Sequence, residues 1–405
     1  MDMPLAFVLT AEHPALSLPV SMLLVFGSAK LLAELFERLK QPGIVGEILA
    51  GVVVGPSVLG WIGLTENISF LGELGVMFLL FRVGLEVKVQ ELKQVGRTGA
   101  LVGVLGVAIP FAAGWALLRL WGKPQIEALF VGAALTATSV GITAQVLSTK
   151  GLLNQTASKI ILTAAVIDDV LALLVLGVVS SLAGGSVNVV ELVMTTAFAA
   201  GFILLIAGWG SHGARRLFPH LRQRLQIGES QFVLAMILLF GLAALSEKAG
   251  VAPIIGAFLA GMAMGEALPH RVHELAHGIT ELLVPFFLAG IGLRFNLQAF
   301  SGRSTLLLAA MVLLTAVVSK VAGCGLGALS YGRAVAVRVG FGMIPRGEFC
   351  MVVAQAGIAL KVIQPDTYGV VVFMAVTATL LTPPLLKLAF RGVEPQSAST
   401  ELSVG

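Results

Sequence analysis

Charge is scarce in this sequence. Lys, Arg, Asp and Glu make up 12% of its 405 residues, against about 25% in a soluble domain. With 57% hydrophobic residues and a mean hydropathy of +0.96, no water-soluble core of this length has room for so much apolar side chain. The composition predicts an integral membrane protein. Cysteine is nearly missing too. Cys324 and Cys350 both lie inside apolar runs, which excludes a disulfide framework and predicts buried free thiols. The first residues, MDMPLAFVLTAEHP, lack the basic stretch of a secretory signal, so no cleaved signal is expected. Alternating ten-residue strands are absent, which argues against an outer-membrane barrel. No stretch reads as a long soluble domain. The net charge of +4 is spread over short loops and is no nucleic-acid signal. The closing residues, about 392–405, form a short polar tail.

What remains is a chain of apolar segments, about 13 of them, each near the length of a spanning helix or somewhat shorter. They run over 17–37, 43–60, 68–86, 98–121, 126–148, 156–183, 188–212, 229–247, 250–266, 279–296, 304–330, 335–360 and 367–391. Most loop cations, among them Arg38, Lys40, Lys88, Lys93, Arg97, Lys150, Arg215, Arg216, Arg222, Arg224, Arg333 and Lys387, fall on one side. Arg119, Lys123, Lys248 and Arg294 fall on the other. By the positive-inside rule the N-terminus lies outside and the C-terminus in the cytoplasm. VGEILAGVVVG (45–55) is echoed by IGAFLAGMAMG (255–265), and ELGVMFLLFRVGLE (73–86) by ELLVPFFLAGIGLR (281–294). Segments 1–6 (about 17–183) therefore correspond to segments 8–13 (about 229–391), with 188–212 as a linker. A shift by an odd number of crossings predicts inverted repeats, an arrangement common in secondary transporters.

The repeat also points to a site. Segment 5 carries Thr136, Thr138, Ser139 and Gly141 at its middle; its counterpart, segment 12, carries Gly342, Pro345 and Gly347. Two interrupted helices in matching positions are the best sequence pointer to a transport site. Between them in the chain, segment 6 holds Asp168 and Asp169 in an otherwise apolar run. A carboxylate at the bilayer centre costs at least about 2.5–3.5 kcal/mol, rarely borne for packing alone. Adjacent residues on a helix point about 100° apart, so one acid can face an ion path and the other a neighbouring helix. Lys320, the cation in the middle of segment 11, is the expected partner. Arg346 and Glu348 sit at the second interruption. Lys30 and Glu34, four apart, are expected to pair. Glu47 and Glu86 suit packing or gating. Arg82 has no evident partner in the sequence. His270, His273 and His277 share one face of a polar stretch; no Cys or carboxylate set completes a metal site there, and a solvated interfacial helix is expected. An intramembrane aspartyl protease would need its two acids on separate helices, and here they are adjacent.

These residues together resemble a known family. ALTATSVGITAQVL, AAVIDDVLALLVL, VVSKVAGCGLGAL and GMIPRGE, with QPGIVGEILAGVVVGPSVLG and FLLFRVGLE, are similar to the bacterial monovalent cation/proton antiporters of the NapA and Kef-related group, over nearly the whole chain. The resemblance implies an all-α membrane fold of thirteen helices in two inverted six-helix repeats with two crossed broken helices. It also implies elevator-type alternating access and a homodimer embedded in lipid of the cytoplasmic membrane. It makes Asp169 the main carrier of cation and proton, Asp168 the lysine-paired acid and Lys320 that lysine. Thr138 and Ser139 then lie near the ion, and Glu348 at the second break. Adjacent Asp residues fit the sodium branch, with Na+ or Li+ exchanged for H+. Kef-type potassium systems have Gln-Asp and a long nucleotide-binding domain, and K+ is the alternative cargo. No cofactor and no enzymatic activity are expected. Arg82 stands where the family has an apolar residue.

Overall fold

A computed structural model describes residues 17–87, 89–183, 197–198, 201, 206, 229–249, 251–265, 268–295 and 302–393. The linker segment 188–212 falls outside them save for four positions, as do Arg215, Arg216, Arg222 and Arg224, and the polar tail beyond residue 393. Among the described residues the fold is all-helical. In chain order the α-helices are α1 (Leu18–Arg38), α2 (Gly43–Val54), α3 (Glu66–Glu86), α4 (Val89–Leu120), α5 (Gln125–Ala134), α6 (Val140–Thr149) and α7 (Thr156–Ala183). Then come α8 (Ser230–Lys248), α9 (Pro253–Met264), α10 (His270–Leu293), α11 (Arg303–Ala328), α12 (Arg333–Gly342), α13 (Glu348–Ala359) and α14 (Pro365–Ala389). Eight described helices are long and apolar enough to cross a bilayer. Segments 5 and 12 each resolve into two short helices, α5–α6 and α12–α13, and segment 10 begins earlier than its apolar run. Proline stands at the start of several helices: Pro253 opens α9 and Pro365 opens α14. Its missing N–H is wasted nowhere in a first turn, and its φ is already helical.

The chain divides into two compact units. One takes in Met1–Gly75 with Glu281–Ala299, the other Val76–Thr280 with Phe300–Gly405. In the first, Val25, Val54, Ile62, Ile68, Phe286, Ala289 and Leu293 form a buried cluster. Glycine lets its helix backbones touch: a Cβ on Gly46 would strike the backbone of Leu32 and Ala33, and one on Gly51 that of Ala289 and Leu293. Without a hydrophobic drive between helices in lipid, such close approach supplies the packing. The second unit uses the same contacts. Gly256 sits against Leu242 and Ala243, and Gly261 against Phe81 and Leu85. Each glycine and each neighbour is the counterpart of its partner in the segment pairs read from the sequence.

The expected Lys30–Glu34 pair is not formed. Lys30 Nζ lies 2.9 Å from Glu47 Oε1 and 3.9 Å from Glu281 Oε2, while Glu34 pairs with Arg38 at 2.8 Å. Glu47 is buried in α2 and needs a compensating cation. Glu34 and Arg38 are both exposed, so that pair contributes little.

Candidate ion site

The candidate site lies wholly in the second unit. α7 presents Asp168 and α11 presents Lys320, both with no exposed side-chain surface. Lys320 Nζ donates to Asp168 Oδ1 at 2.9 Å and Oδ2 at 3.2 Å. It also donates to the carbonyl of Gly106 in α4 at 2.8 Å and to that of Thr136. The ammonium is thus enclosed by a carboxylate and two backbone carbonyls from three other parts of the unit. A buried charge pair is tolerable only when the remaining hydrogen-bonding groups are met in this way.

Asp169, one residue on, has a different environment. It lines a narrow apolar cleft of about 10 Å³ with Leu80, Val140, Leu162, Val166, Ile254, Ile255 and Phe258. Among the described residues it makes no ion pair. Val140, in the same lining, is the first residue of α6, so the first helix break opens beside this carboxylate.

The two breaks meet each other. α5 ends at Ala134 and α6 begins at Val140; α12 ends at Gly342 and α13 begins at Glu348. Pro345 accounts for the second break, since it donates no hydrogen bond and disfavours helix in the residue before it. The first has no proline and is held open by the second. Ser139 N–H donates to the Pro345 carbonyl at 2.8 Å. The Thr138 hydroxyl donates to the Met343 carbonyl at 3.4 Å, and the Thr143 hydroxyl to the Gly342 carbonyl at 2.6 Å. Arg346, fully buried, donates to the carbonyls of Ala137 at 2.9 Å and Ala316 at 3.2 Å. Its own carbonyl accepts from the Thr379 hydroxyl at 2.8 Å. Arg346 therefore ties both breaks to α11 and α14, and at Ala137 it satisfies a carbonyl that a continuous helix would have paired internally. The side chain of Glu348 lies outside the described residues.

One charged group is placed differently from the sequence reading. Arg82 is not partnerless: it donates to His277 Nδ1 at 2.8 Å and to the Ser148 hydroxyl, with Glu86 at 3.9 Å. A guanidinium with several donors satisfies itself across α3, α6 and α10 at once. The three histidines belong to the first turns of α10 and each has its own neighbour. His270 lies 3.6 Å from Glu274, His273 lies 3.2 Å from the Pro269 carbonyl, and His277 meets Arg82. No group of three or more His, Cys, Asp or Glu among the described residues is arranged to hold a metal. Sequence reading also passed over Glu127. It is buried in the first turn of α5, accepts from the Thr367 hydroxyl and pairs with Lys123 at 3.4 Å. The spacing of Lys123 and Glu127 was the one signal available.

A lysine-paired acid beside a second acid with no ion pair among the described residues, set against two touching helix breaks, defines a secondary ion transporter of the broken-helix class. Residues 22–391 match the sequence profile described as sodium/hydrogen exchanger, transmembrane, and the chain belongs to that family. The chain is similar to the Na+/H+–K+ antiporter GerN of Bacillus cereus, with 33% identity over 91% of this chain and 95% of that one. It is also similar to the high-affinity Na+/H+ antiporter NhaS3 of a Synechocystis strain, with 31% identity over 94% and 91%. The sodium proton antiporter MjNhaP1 of Methanocaldococcus jannaschii shares the fold. It superposes with a TM-score of 0.72 over 93% of this chain and 97% of that one, at 17% identity. The family is one of membrane transporters.

Proposed function

We propose that this chain exchanges Na+ or Li+ for H+ across the cytoplasmic membrane, with Asp169 as the group that holds cation and proton in turn. The observation that carries this reading is the unequal pairing of the two acids: Lys320 neutralises Asp168, and Asp169 faces an apolar cleft with no counter-ion among the described residues. One uncompensated carboxylate at that depth binds one monovalent cation or one proton, and not both. Asp168, paired with Lys320, adds its carboxylate oxygens beside the site. Thr138 and Ser139, at the break beside the cleft, bring the oxygens that replace part of the cation's water. Arg346 holds the second break, two residues before Glu348, and Lys320 sets the local charge.

The sequence repeat and the matched glycine contacts support two inverted repeats, about 17–183 and 229–391, around the linker 188–212. The reading includes elevator-type alternating access by a homodimer, as the family resemblance implies, and the bias of loop cations supports an N-terminus outside and a C-terminus in the cytoplasm. A second reading, K+/H+ exchange on the same fold, is favoured by one relative, whose name includes potassium. The test is a proteoliposome with a pre-formed pH gradient. Addition of sodium or lithium collapses the gradient if the proposal holds. Collapse by potassium alone selects the second reading, and no collapse by any of the three rejects both.

A further inference from the structure

We infer that Gly106 is a positioning residue for the ion site: by lacking a side chain it fixes where the Lys320 ammonium sits beside Asp168. The inference deepens the proposed function and rests on it for its transport readout. α4 is gripped from both sides by close backbone approach. Toward α7, a Cβ on Gly99 would come within 2.6 Å of Thr163 Cγ2, and one on Gly103 within 3.0 Å of Ile167 Cγ2. Toward α11, Cβ atoms on Gly323 and Gly327 would lie 2.6 Å from the Leu105 carbonyl oxygen and 2.8 Å from Val102 Cα. These contacts bring α7, which carries Asp168, and α11, which carries Lys320, onto the same stretch of α4.

Gly106 is the point at which this packing touches the charge. Its carbonyl accepts from Lys320 Nζ at 2.8 Å. A Cβ there would lie 2.6 Å from Cys324 Sγ and 3.5 Å from Lys320 Nζ. Contacts under about 3 Å are not tolerated in a close-packed interior. Cys324 is one helical turn beyond Lys320 on the same face of α11, buried, with its Sγ 3.8 Å from the Val102 carbonyl. A methyl group at 106 therefore pushes Cys324 and α11 away from α4. Lys320 moves with them, away from both the Gly106 carbonyl and Asp168. With the ammonium withdrawn, the positive charge that faces the carboxylates lies farther from the site.

The experiment is a cycle of Gly106→Ala, Cys324→Ala and the double variant, each in proteoliposomes across pH 6 to 9. Gly106→Ala moves the pH of half-maximal sodium-driven proton flux to the alkaline side by about one unit, the low end for a displaced neighbouring charge. Cys324→Ala alone leaves the profile where it was. The double variant, with Sγ gone, returns toward the wild type. A purely structural glycine would lower the amount of active protein without moving the profile, and an unmoved profile in Gly106→Ala overturns the inference, as does a shift that Cys324→Ala fails to reverse. Should Gly106→Ala not fold, Cys324→Val crowds the same gap from α11 and must give the same alkaline shift; no shift there overturns the inference equally. Thermal unfolding in detergent runs the same cycle without transport: Gly106→Ala lowers the midpoint, the double variant recovers it, and additive losses overturn the inference. If the wild type moves no cation, the proposed function fails while the thermal cycle still decides the role of Gly106.

Discussion

Asp168 and Asp169 are neighbours in sequence and opposites in surroundings. The helical turn of about 100° between them sends one into the Lys320 pocket and the other to the cleft, and that divergence was legible from adjacency alone. Lys320 was legible as well, because a cation in the middle of an apolar segment has few places to go. Its carbonyl partners at Gly106 and Thr136 were not, because they depend on which backbone α11 lies against. Asp169→Asn is expected to reduce exchange to the level of empty liposomes while leaving a folded protein. Normal sodium-driven flux in that variant would remove Asp169 from the carrier role. Lys320→Ala is expected to act differently. It leaves a buried carboxylate unpaired, a loss of about 3–5 kcal/mol when one partner of such a pair is removed, so thermal unfolding should show it first. Some exchange should survive, with an altered charge per cycle. Unchanged stability together with unchanged electrogenicity would mean that the Asp168–Lys320 contact contributes nothing.

Among elements, the two broken helices were readable for unequal reasons. Pro345 with its flanking glycines announces a break in any context. Thr136 to Ser139 carry no such marker, and the first break is open because Ser139 and Thr138 give their hydrogen bonds to the second. The internal repeat, together with the weak helix formers Thr136, Thr138, Ser139 and Gly141, was the guide to it. The link among α3, α6 and α10 escaped the sequence for a plainer reason. Arg82, Ser148 and His277 are far apart in the chain, and no periodicity relates them. Arg82→Leu is expected to lower thermal stability by about 1–3 kcal/mol, the usual cost of leaving the partners of a charged hydrogen bond unmet. The sodium half-saturation should stay at the wild-type value, because Arg82 is absent from the lining of the Asp169 cleft. Sodium titration of proton flux checks this. A half-saturation that rises with the loss of Arg82 would place the arginine in the ion path.

For the whole molecule, exchange without leak requires that proton and cation exclude one another. If both occupy the Asp168–Asp169 site, lowering the pH by one unit raises the competing proton activity tenfold. On the acid side of the site's own titration, sodium half-saturation should then rise by up to about tenfold per pH unit, or about 1.4 kcal/mol of linkage. On the alkaline side it should level off, because the carboxylates are already free. A regulator elsewhere gives another pattern. His277, held by Arg82, is absent from the lining of the Asp169 cleft, so control from α10 would change the maximal rate and leave half-saturation alone. Replacing His270, His273 and His277 by glutamine should therefore leave the slope of half-saturation against pH intact. A half-saturation flat from pH 6 to 9, with only the maximal rate moving and that movement lost in the histidine variant, would place pH control at α10 and contradict a shared site.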